Sequence, residues 1–184
     1  LNLPPDTRGL IHEHDRASLL EFARHRRSVF ERDLTRGATV TASSVRGQTN
    51  ASGSSDAAGE PTDRTRGGSG TYSADRVIDG DAGTYWSTDD GIPEAAVTVE
   101  LPQPVRCNVV ELREYLPLGR RIDSFRVDVD TGDGWRAFGF GESVGHRRLL
   151  RGEACTPRRI RVSVTCPRKP AVPRHQAYQA RPPA

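Results

Sequence analysis

The sequence predicts a mainly β protein, a β-sandwich preceded by one α-helix. Two observations predict the sandwich. Apolar and polar residues alternate with a period of two along much of the second half of the chain, and glycine or proline interrupts nearly every gap between the alternating segments. A third observation predicts the helix, because apolar residues recur at helical spacing ahead of the first strand. Many short strands with regular turns and no helix between them favour two packed sheets.

The helix is predicted over residues 14–34, where the apolar residues near one face are Leu19, Phe22, Ala23, Phe30 and Leu34. Asp15 is a suitable N-cap, and Gly37 is a suitable C-terminal stop. A helix with one apolar stripe has to bury that stripe against a partner. Little besides the following domain is present to cover it, so we expect Leu19, Phe22 and Phe30 to form an exposed, sticky patch.

The predicted strands begin with residues 40–43. The next stretch, residues 47–70, is rich in Gly, Ser, Thr, Ala and Asp and has almost no large apolar side chain. Such a stretch cannot offset its ordering entropy by burial, so it predicts a disordered loop. The remaining predicted strands cover residues 95–101, 109–115, 125–130, 135–140, 146–150 and 160–166.

The composition argues against several classes of function. The 184 residues carry a formal net charge of +3, but the basic residues are spread among Asp and Glu, so no nucleic-acid partner is expected. No run of about 18 apolar residues occurs, so no membrane span is expected. The chain has no Met and begins with Leu1, which indicates a fragment or a processed piece. Secreted and cytoplasmic locations both stay open.

The cysteines and the known catalytic motifs give no sign of an active site. Cys107, Cys155 and Cys166 match no zinc-binding spacing. Cys155 and Cys166 flank one predicted strand and could pair; the alternative is three reduced, mostly buried thiols. No nucleophile elbow, phosphate loop or catalytic Cys–His pattern is present, so no catalytic residue is expected in this chain.

One short loop has the composition of a site for a hard cation. Asp79 and Asp81 carry carboxylates, Thr84 carries a hydroxyl, and the Asp-Gly turn exposes backbone carbonyls. Calcium prefers about six to eight oxygen ligands of these kinds. The alternative is a plain Asx turn without a metal. Trp86, directly after this loop, is interpreted as a core anchor rather than a platform for sugar stacking.

Polar residues near the ends of predicted strands are candidates for ligand binding, because loops at the ends of a sandwich often carry function. Sugar recognition uses planar donors, carboxylates for neighbouring hydroxyls and an aromatic platform. The candidates are Asp89, Asp90, Glu114, Tyr115, Arg120, Arg121, His146 and Arg147. We expect Arg120, Arg121 and His146 to lie together at one end of the sandwich. The alternative is that these charged residues form salt bridges to a neighbouring domain.

The stretch Asp79-Gly80-Asp81-Ala82-Gly83-Thr84-Tyr85-Trp86 resembles coagulation-factor 5/8 type C (discoidin) domains and family-32 carbohydrate-binding modules. The resemblance implies a discoidin-like (galactose-binding-like) jelly-roll β-sandwich. It also implies a structural calcium ion in the loop of Asp79, Asp81 and Thr84. A glutamate near the last strand completes that site in the family, and the equivalent position here falls near Arg174.

Residues 1–12, 79–90, 108–121 and 144–150 resemble the C-terminal part of bacterial α-L-fucosidases of glycoside hydrolase family 29. The resemblance implies that residues 1–36 are the tail and last helix of a catalytic (β/α) barrel, and residues 37–184 a discoidin-like domain. The catalytic residues of that family lie in upstream barrel strands, so this chain is expected to be inactive alone. The implied partners are a glycan or fucosylated oligosaccharide and the absent catalytic barrel.

Three functions fit these features. The first is a carbohydrate-binding or barrel-bracing accessory domain of an enzyme that hydrolyses terminal α-L-fucosides. The second is a free-standing lectin-like module, which would keep the loops of the sandwich but would need no barrel tail. The third is a purely structural β-domain.

Overall fold

A computed structural model describes residues 4–47 and 71–166. The described elements are one helix, α1 (Glu13–Phe30), and the strands β1 (Thr39–Ala42), β2 (Glu94–Glu100), β3 (Cys107–Leu112), β4 (Ser124–Asp130), β5 (Trp135–Glu142), β6 (Arg148–Cys155) and β7 (Arg159–Thr165). Short 3-10 turns occur at Ala74–Val77 and Leu116–Leu118. The loop predicted at residues 47–70 lies outside the described residues except for Gly47, and so does Arg174.

The strands form two antiparallel sheets, as the alternating pattern predicts. One sheet has the order β1-β2-β7-β4-β5, and the other pairs β3 with β6. In the larger sheet Val97 and Val127 both lie opposite Val162, which places the three valines on one face. All three are buried, so this face forms the core. The prediction of a mainly β protein with one helix is confirmed.

Trp86 is the anchor of the core, as the sequence predicts. Its side chain is completely buried, and its indole nitrogen donates a hydrogen bond to the carbonyl oxygen of Ser44 at 2.8 Å. This bond fastens the segment after β1 to the segment before β2. A buried tryptophan that also satisfies its N–H contributes both packing and a fixed orientation.

Glycine allows the two sheets to approach closely where β5 meets β6. A Cβ atom at Gly152 would lie 2.7 Å from the ring of Phe138, and one at Gly139 would lie 2.9 Å from the side chain of Leu150. Strand β6 is longer than the predicted strand at residues 146–150 and continues to Cys155. The part beyond Leu150 alternates less clearly because it includes Gly152 and two charged residues, Arg151 and Glu153.

The predicted ends of α1 are wrong. The helix begins at Glu13, and the Nδ1 atom of its N-cap His12, not Asp15, accepts from the backbone N–H of His14 at 3.2 Å. It ends at Phe30, because Asp33 offers the chain a competing turn: its Oδ1 accepts from the backbone N–H of Thr35 at 3.1 Å. Gly37, with φ at +76°, follows this turn rather than the helix.

The apolar stripe of α1 is mostly uncovered. No residue of the helix is fully buried, and Phe22 is 56% exposed. Leu19 and Phe30 are half-buried, and the guanidinium of Arg147 lies 5.0 Å from the centre of the Phe30 ring. Leu34, predicted as part of the stripe, lies instead beyond the helix and is buried in the core. Within residues 4–47 and 71–166, no helix combines the length and hydropathy needed to cross a membrane.

Candidate functional site

An open cleft of about 290 Å³ lies where β3 ends and β6 begins. Three segments of the chain meet there: the Asp79 loop with the preceding 3-10 turn, the residues that follow β3, and the turn before β6. The cleft is lined by Arg76, Asp81, Ala82, Thr84, Arg113, Glu114, Tyr115, Leu116, Pro117 and His146. The cleft therefore joins the predicted cation loop to three of the predicted ligand-binding residues.

The Asp79 loop is held by its own side chains. Asp79 accepts from the backbone N–H of Asp81 at 2.9 Å, and Asp81 accepts from that of Gly83 at 2.8 Å. The hydroxyl of Thr84 donates to the other oxygen of Asp79 at 2.5 Å. These contacts are Asx turns closed by a hydroxyl, so hydrogen bonds within the loop hold one wall of the cleft.

The side chains of this loop make an incomplete calcium site. They supply two carboxylates and one hydroxyl, whereas Ca²⁺ prefers about six to eight oxygens. Arg76 also places a cation 3.6 Å from Asp79 Oδ2. In the described part of the chain, no group of three or more His, Cys, Asp or Glu side chains is placed to hold a metal ion. Calcium therefore stays a prediction that depends on backbone carbonyls for most of its ligands.

Aromatic rings stack behind the cleft. The ring of Tyr115 lies 4.2 Å from that of Tyr85 at an interplanar angle of 17°, and Tyr72 packs on Tyr85 at 5.3 Å. Burial and a hydrogen bond with Tyr72 raise the pKa of Tyr85 to about 12, so this phenol stays neutral. Sequence reasoning missed Tyr72 and Tyr85. The position of Tyr85 follows from its neighbour Trp86, since a residue beside a core anchor at a loop end emerges at the surface of that end.

Glu114 ties the turns around the cleft together. Its buried carboxylate accepts from the backbone N–H of Arg121, from that of Ile122 at 3.0 Å and from that of Gly145 at 3.1 Å. The backbone N–H of Glu114 donates in turn to the carbonyl of Gly145 at 3.0 Å. The carboxylate predicted to receive sugar hydroxyls therefore already holds the scaffold of the site.

The turns that carry Arg121 and His146 meet at this carboxylate, at one end of the sandwich. His146 is exposed and lines the cleft. The Nε of Arg121 donates instead to the carbonyl of Leu118 at 2.9 Å. Arg120 is exposed, and neither arginine is among the residues that line the cleft.

Arg147 contacts both helix α1 and the buried carboxylate of Glu111. Glu111 is fully buried and accepts from Arg113 Nε at 2.6 Å and from Arg147 Nη2 at 2.7 Å. Arg113 lines the cleft, while Arg147 stacks on Phe30 of α1. Sequence reasoning missed Glu111, although a single carboxylate among the apolar residues of β3 was a signal that it needs a buried partner.

Asp89 and Asp90 fasten the chain that follows β1. Asp89 accepts from the backbone N–H of Gly47 at 3.0 Å, and Asp90 pairs with Arg46 at 3.1 Å. Neither aspartate is among the residues that line the cleft. Of the predicted ligand-binding residues, the structure thus places Glu114, Tyr115 and His146 in the lining of the cleft and the other five outside it.

Comparisons with known proteins relate this chain to α-L-fucosidases. No protein-family model matches it. It is 33% identical over 153 residues to "Alpha-L-fucosidase 1" of Arabidopsis thaliana, a match that covers 82% of this chain and 26% of that protein. A Ruminococcus gnavus GH29 fucosidase in complex with fucose superposes with a TM-score of 0.78 at 26% identity, over 100% of this chain and 33% of that chain.

A third similarity concerns the fold alone. A chitosan-binding module of a chitosanase/glucanase from Paenibacillus superposes with a TM-score of 0.60 at 18% identity, over 83% of this chain and 98% of that module.

The fucosidase matches show that the chain is homologous to α-L-fucosidases along most of its length. It spans about a quarter of the length of the curated relatives that it matches.

Proposed function

We propose that this chain is the discoidin-like accessory domain of an α-L-fucosidase and that its cleft binds a glycan. Homology to α-L-fucosidases supports an α-L-fucosidase as the parent enzyme. In this proposal, residues outside this chain hydrolyse terminal α-L-fucosides. The fold is shared with a carbohydrate-binding module, which supports a jelly-roll with a binding site among its end loops.

The observation that carries the proposal is the ring of Tyr115, which is stacked on Tyr85. The planar donor groups of Arg113 and His146 line the same cleft. The apolar face of a sugar ring packs on aromatic rings, and its hydroxyls bond to planar polar groups. Tyr115 is half-buried and stacked on Tyr85, and it lines the same cleft as His146 and Arg113. A ring fixed in this way loses little conformational freedom when a ligand binds.

Binding is tested by titrating the chain with fucosylated oligosaccharides in a calorimeter. Replacing Tyr115 by Ala should weaken binding about tenfold or more, because it removes the platform. Phe140 provides the matched control, since it is an aromatic residue that is 80% exposed on β5 and outside the cleft. Phe140→Ala should leave the affinity unchanged. Equal losses in the two variants would contradict a specific site at Tyr115.

A second candidate function, bracing of the catalytic barrel, is favoured by exposed apolar residues in and ahead of α1. Leu20 and Phe22 of the helix and Leu10 and Ile11 ahead of it are all between 44% and 57% exposed. A patch of this kind is typical of an interface with another domain. Saturable binding of glycans by the isolated chain favours the first function. Tight binding of the remainder of the parent enzyme, with no detectable binding of glycans, favours the second.

We propose separately that the loop of Asp79, Asp81 and Thr84 binds a calcium ion. A bound ion would stabilise the folded chain by mass action, so the melting temperature should rise with excess calcium and fall after chelation. Asp81→Asn should abolish this difference. Identical melting curves in calcium and in chelator would show that the loop works as Asx turns alone.

A further inference from the structure

Two cysteines lie opposite each other at the end of the smaller sheet farthest from the cleft. Cys107, the first residue of β3, is the register partner of Cys155, the last residue of β6. Both are buried free thiols, and Cys155 lies close enough to Cys107 to help raise the pKa of that thiol. Directly opposed residues of antiparallel strands have Cα atoms about 4.5–5.5 Å apart. Disulfides need about 4.4–6.8 Å, so a bond between the two requires no movement of the strands.

The same geometry excludes the pairing of Cys155 with Cys166 that the sequence left open. Cys155 precedes β7, and Cys166 follows it. A strand of seven residues spans about 20 Å, far beyond the reach of a disulfide. The backbone N–H of Cys166 bonds to the carbonyl of Pro93, just ahead of β2, whereas Leu101, just after β2, bonds to Arg158, just ahead of β7. Cys166 thus lies at the opposite end of the larger sheet.

We propose that Cys107 and Cys155 are a disulfide-forming pair that locks β3 to β6 when the chain folds in an oxidising environment. The oxidant is a small-molecule disulfide such as oxidised glutathione. The thiolate of one cysteine attacks it, forming a mixed disulfide and releasing one glutathione thiolate. The thiolate of the second cysteine then attacks the protein sulfur and releases the other glutathione. Two protein thiols lose two protons and two electrons, and the oxidant becomes two molecules of glutathione.

Burial makes this reaction dependent on folding. It raises the pKa of Cys107 to about 12, so thiolate is scarce in the folded chain and exchange there is slow. The bond therefore forms while β3 and β6 come together and both sulfurs are still accessible. A two-stranded sheet is only marginally stable by itself, which makes it the element that gains most from a covalent link.

The cleft is unaffected by this link. Strand β3 runs from Cys107 to Leu112, and on this segment of the chain the first residue that lines the cleft is Arg113. The thiol pair therefore lies about 20 Å from the cleft along the strand. Oxidation is expected to change stability and to leave ligand binding as it is.

The test is refolding of the denatured, reduced chain with either a glutathione redox buffer or a reductant. After rapid alkylation and proteolysis, mass spectrometry identifies the linked peptides. The chain has only three cysteines, so each linkage is unambiguous. We expect one bond, Cys107 to Cys155, in the oxidised sample, and the same bond in a Cys166→Ser variant. A linkage that includes Cys166, or free Cys107 and Cys155 after oxidative refolding, would overturn the proposal.

The melting temperature gives a second readout that does not depend on a variant that folds poorly. The oxidised wild-type chain should melt about 5 °C or more above the reduced chain, because the link closes a long loop. The doubly substituted chain, with Cys107→Ser and Cys155→Ser, should show no such difference between the two buffers. A lower melting temperature for the oxidised wild type would contradict a stabilising lock.

Discussion

The cleft end of the sandwich and helix α1 satisfy their side chains in opposite ways. At the cleft, Glu114 accepts three backbone hydrogen bonds, and Trp86 bonds to Ser44 in the core behind it. In α1, no side chain is fully buried, and Phe22 is 56% exposed. The cleft is therefore preorganised by the chain itself, whereas the helix has an apolar face for which the described residues provide little cover. A binding role suits the first region, and contact with a further domain suits the second.

Trp86 provides the largest expected effect. Trp86→Ala should lower the free energy of unfolding by about 3–5 kcal/mol, because it leaves a cavity and an unpaired carbonyl at Ser44. Phe22→Ala, at an exposed aromatic residue of α1, should change it by less than about 0.5 kcal/mol. Urea unfolding of both variants measures the difference. A comparable loss in the two variants would show that α1 belongs to the cooperative core.

Glu114 tests whether the cleft is held together by its own carboxylate. Glu114→Ala should cost about 2–4 kcal/mol, because buried backbone N–H groups of Ile122 and Gly145 lose a charged acceptor. The same variant should also weaken glycan binding, since the turn that carries His146 is released. Glu153→Ala, at an exposed glutamate of β6, serves as the control in urea unfolding. Full stability of Glu114→Ala would contradict the scaffold role.

Asp130, the last residue of β4, makes the stability of the folded chain depend on pH. The backbone N–H of Gly132 and the guanidinium of Arg159 hold the pKa of Asp130 below its usual range. A lowered pKa in the folded state stabilises the protein above the unfolded pKa, about 3.9, and this stability is lost as pH falls through the folded value. Asp130→Asn should therefore lose less stability than the wild type between pH 7 and pH 3, as measured by thermal unfolding at each pH. Asp133→Asn, at an exposed residue of the same turn, should behave as the wild type.

Removing α1 is expected to have only a small effect on stability. A chain that begins at Glu31 keeps Leu34 in the core and the turn between Asp33 and Thr35. It loses the contact between Phe30 and Arg147, which is worth about 0.5–1 kcal/mol. We expect a similar melting temperature and less self-association in analytical ultracentrifugation. A fall in melting temperature above about 5 °C would show that the helix is bound firmly to the sandwich.

The same contrast explains how far the sequence could predict the structure. Alternation of apolar residues is local, so the strands and the core position of Trp86 follow from the sequence. The carboxylate partners do not, because Glu111 meets Arg147 across 36 positions of the chain and Glu114 meets Gly145 across 31. The helix ends before residue 34 because Asp33 forms a turn with Thr35, and apolar periodicity does not indicate such a turn. The stack of Tyr115 on Tyr85 likewise depends on how two loops meet.

The cleft itself can be mapped most directly by nuclear magnetic resonance. Titration of the isotope-labelled chain with a fucosylated oligosaccharide should shift the backbone amides of Thr84, Tyr115 and His146 in a saturable way. The amides of α1 (Glu13–Phe30) should stay in place. No shift at millimolar ligand, or shifts confined to α1, would contradict glycan binding at this cleft.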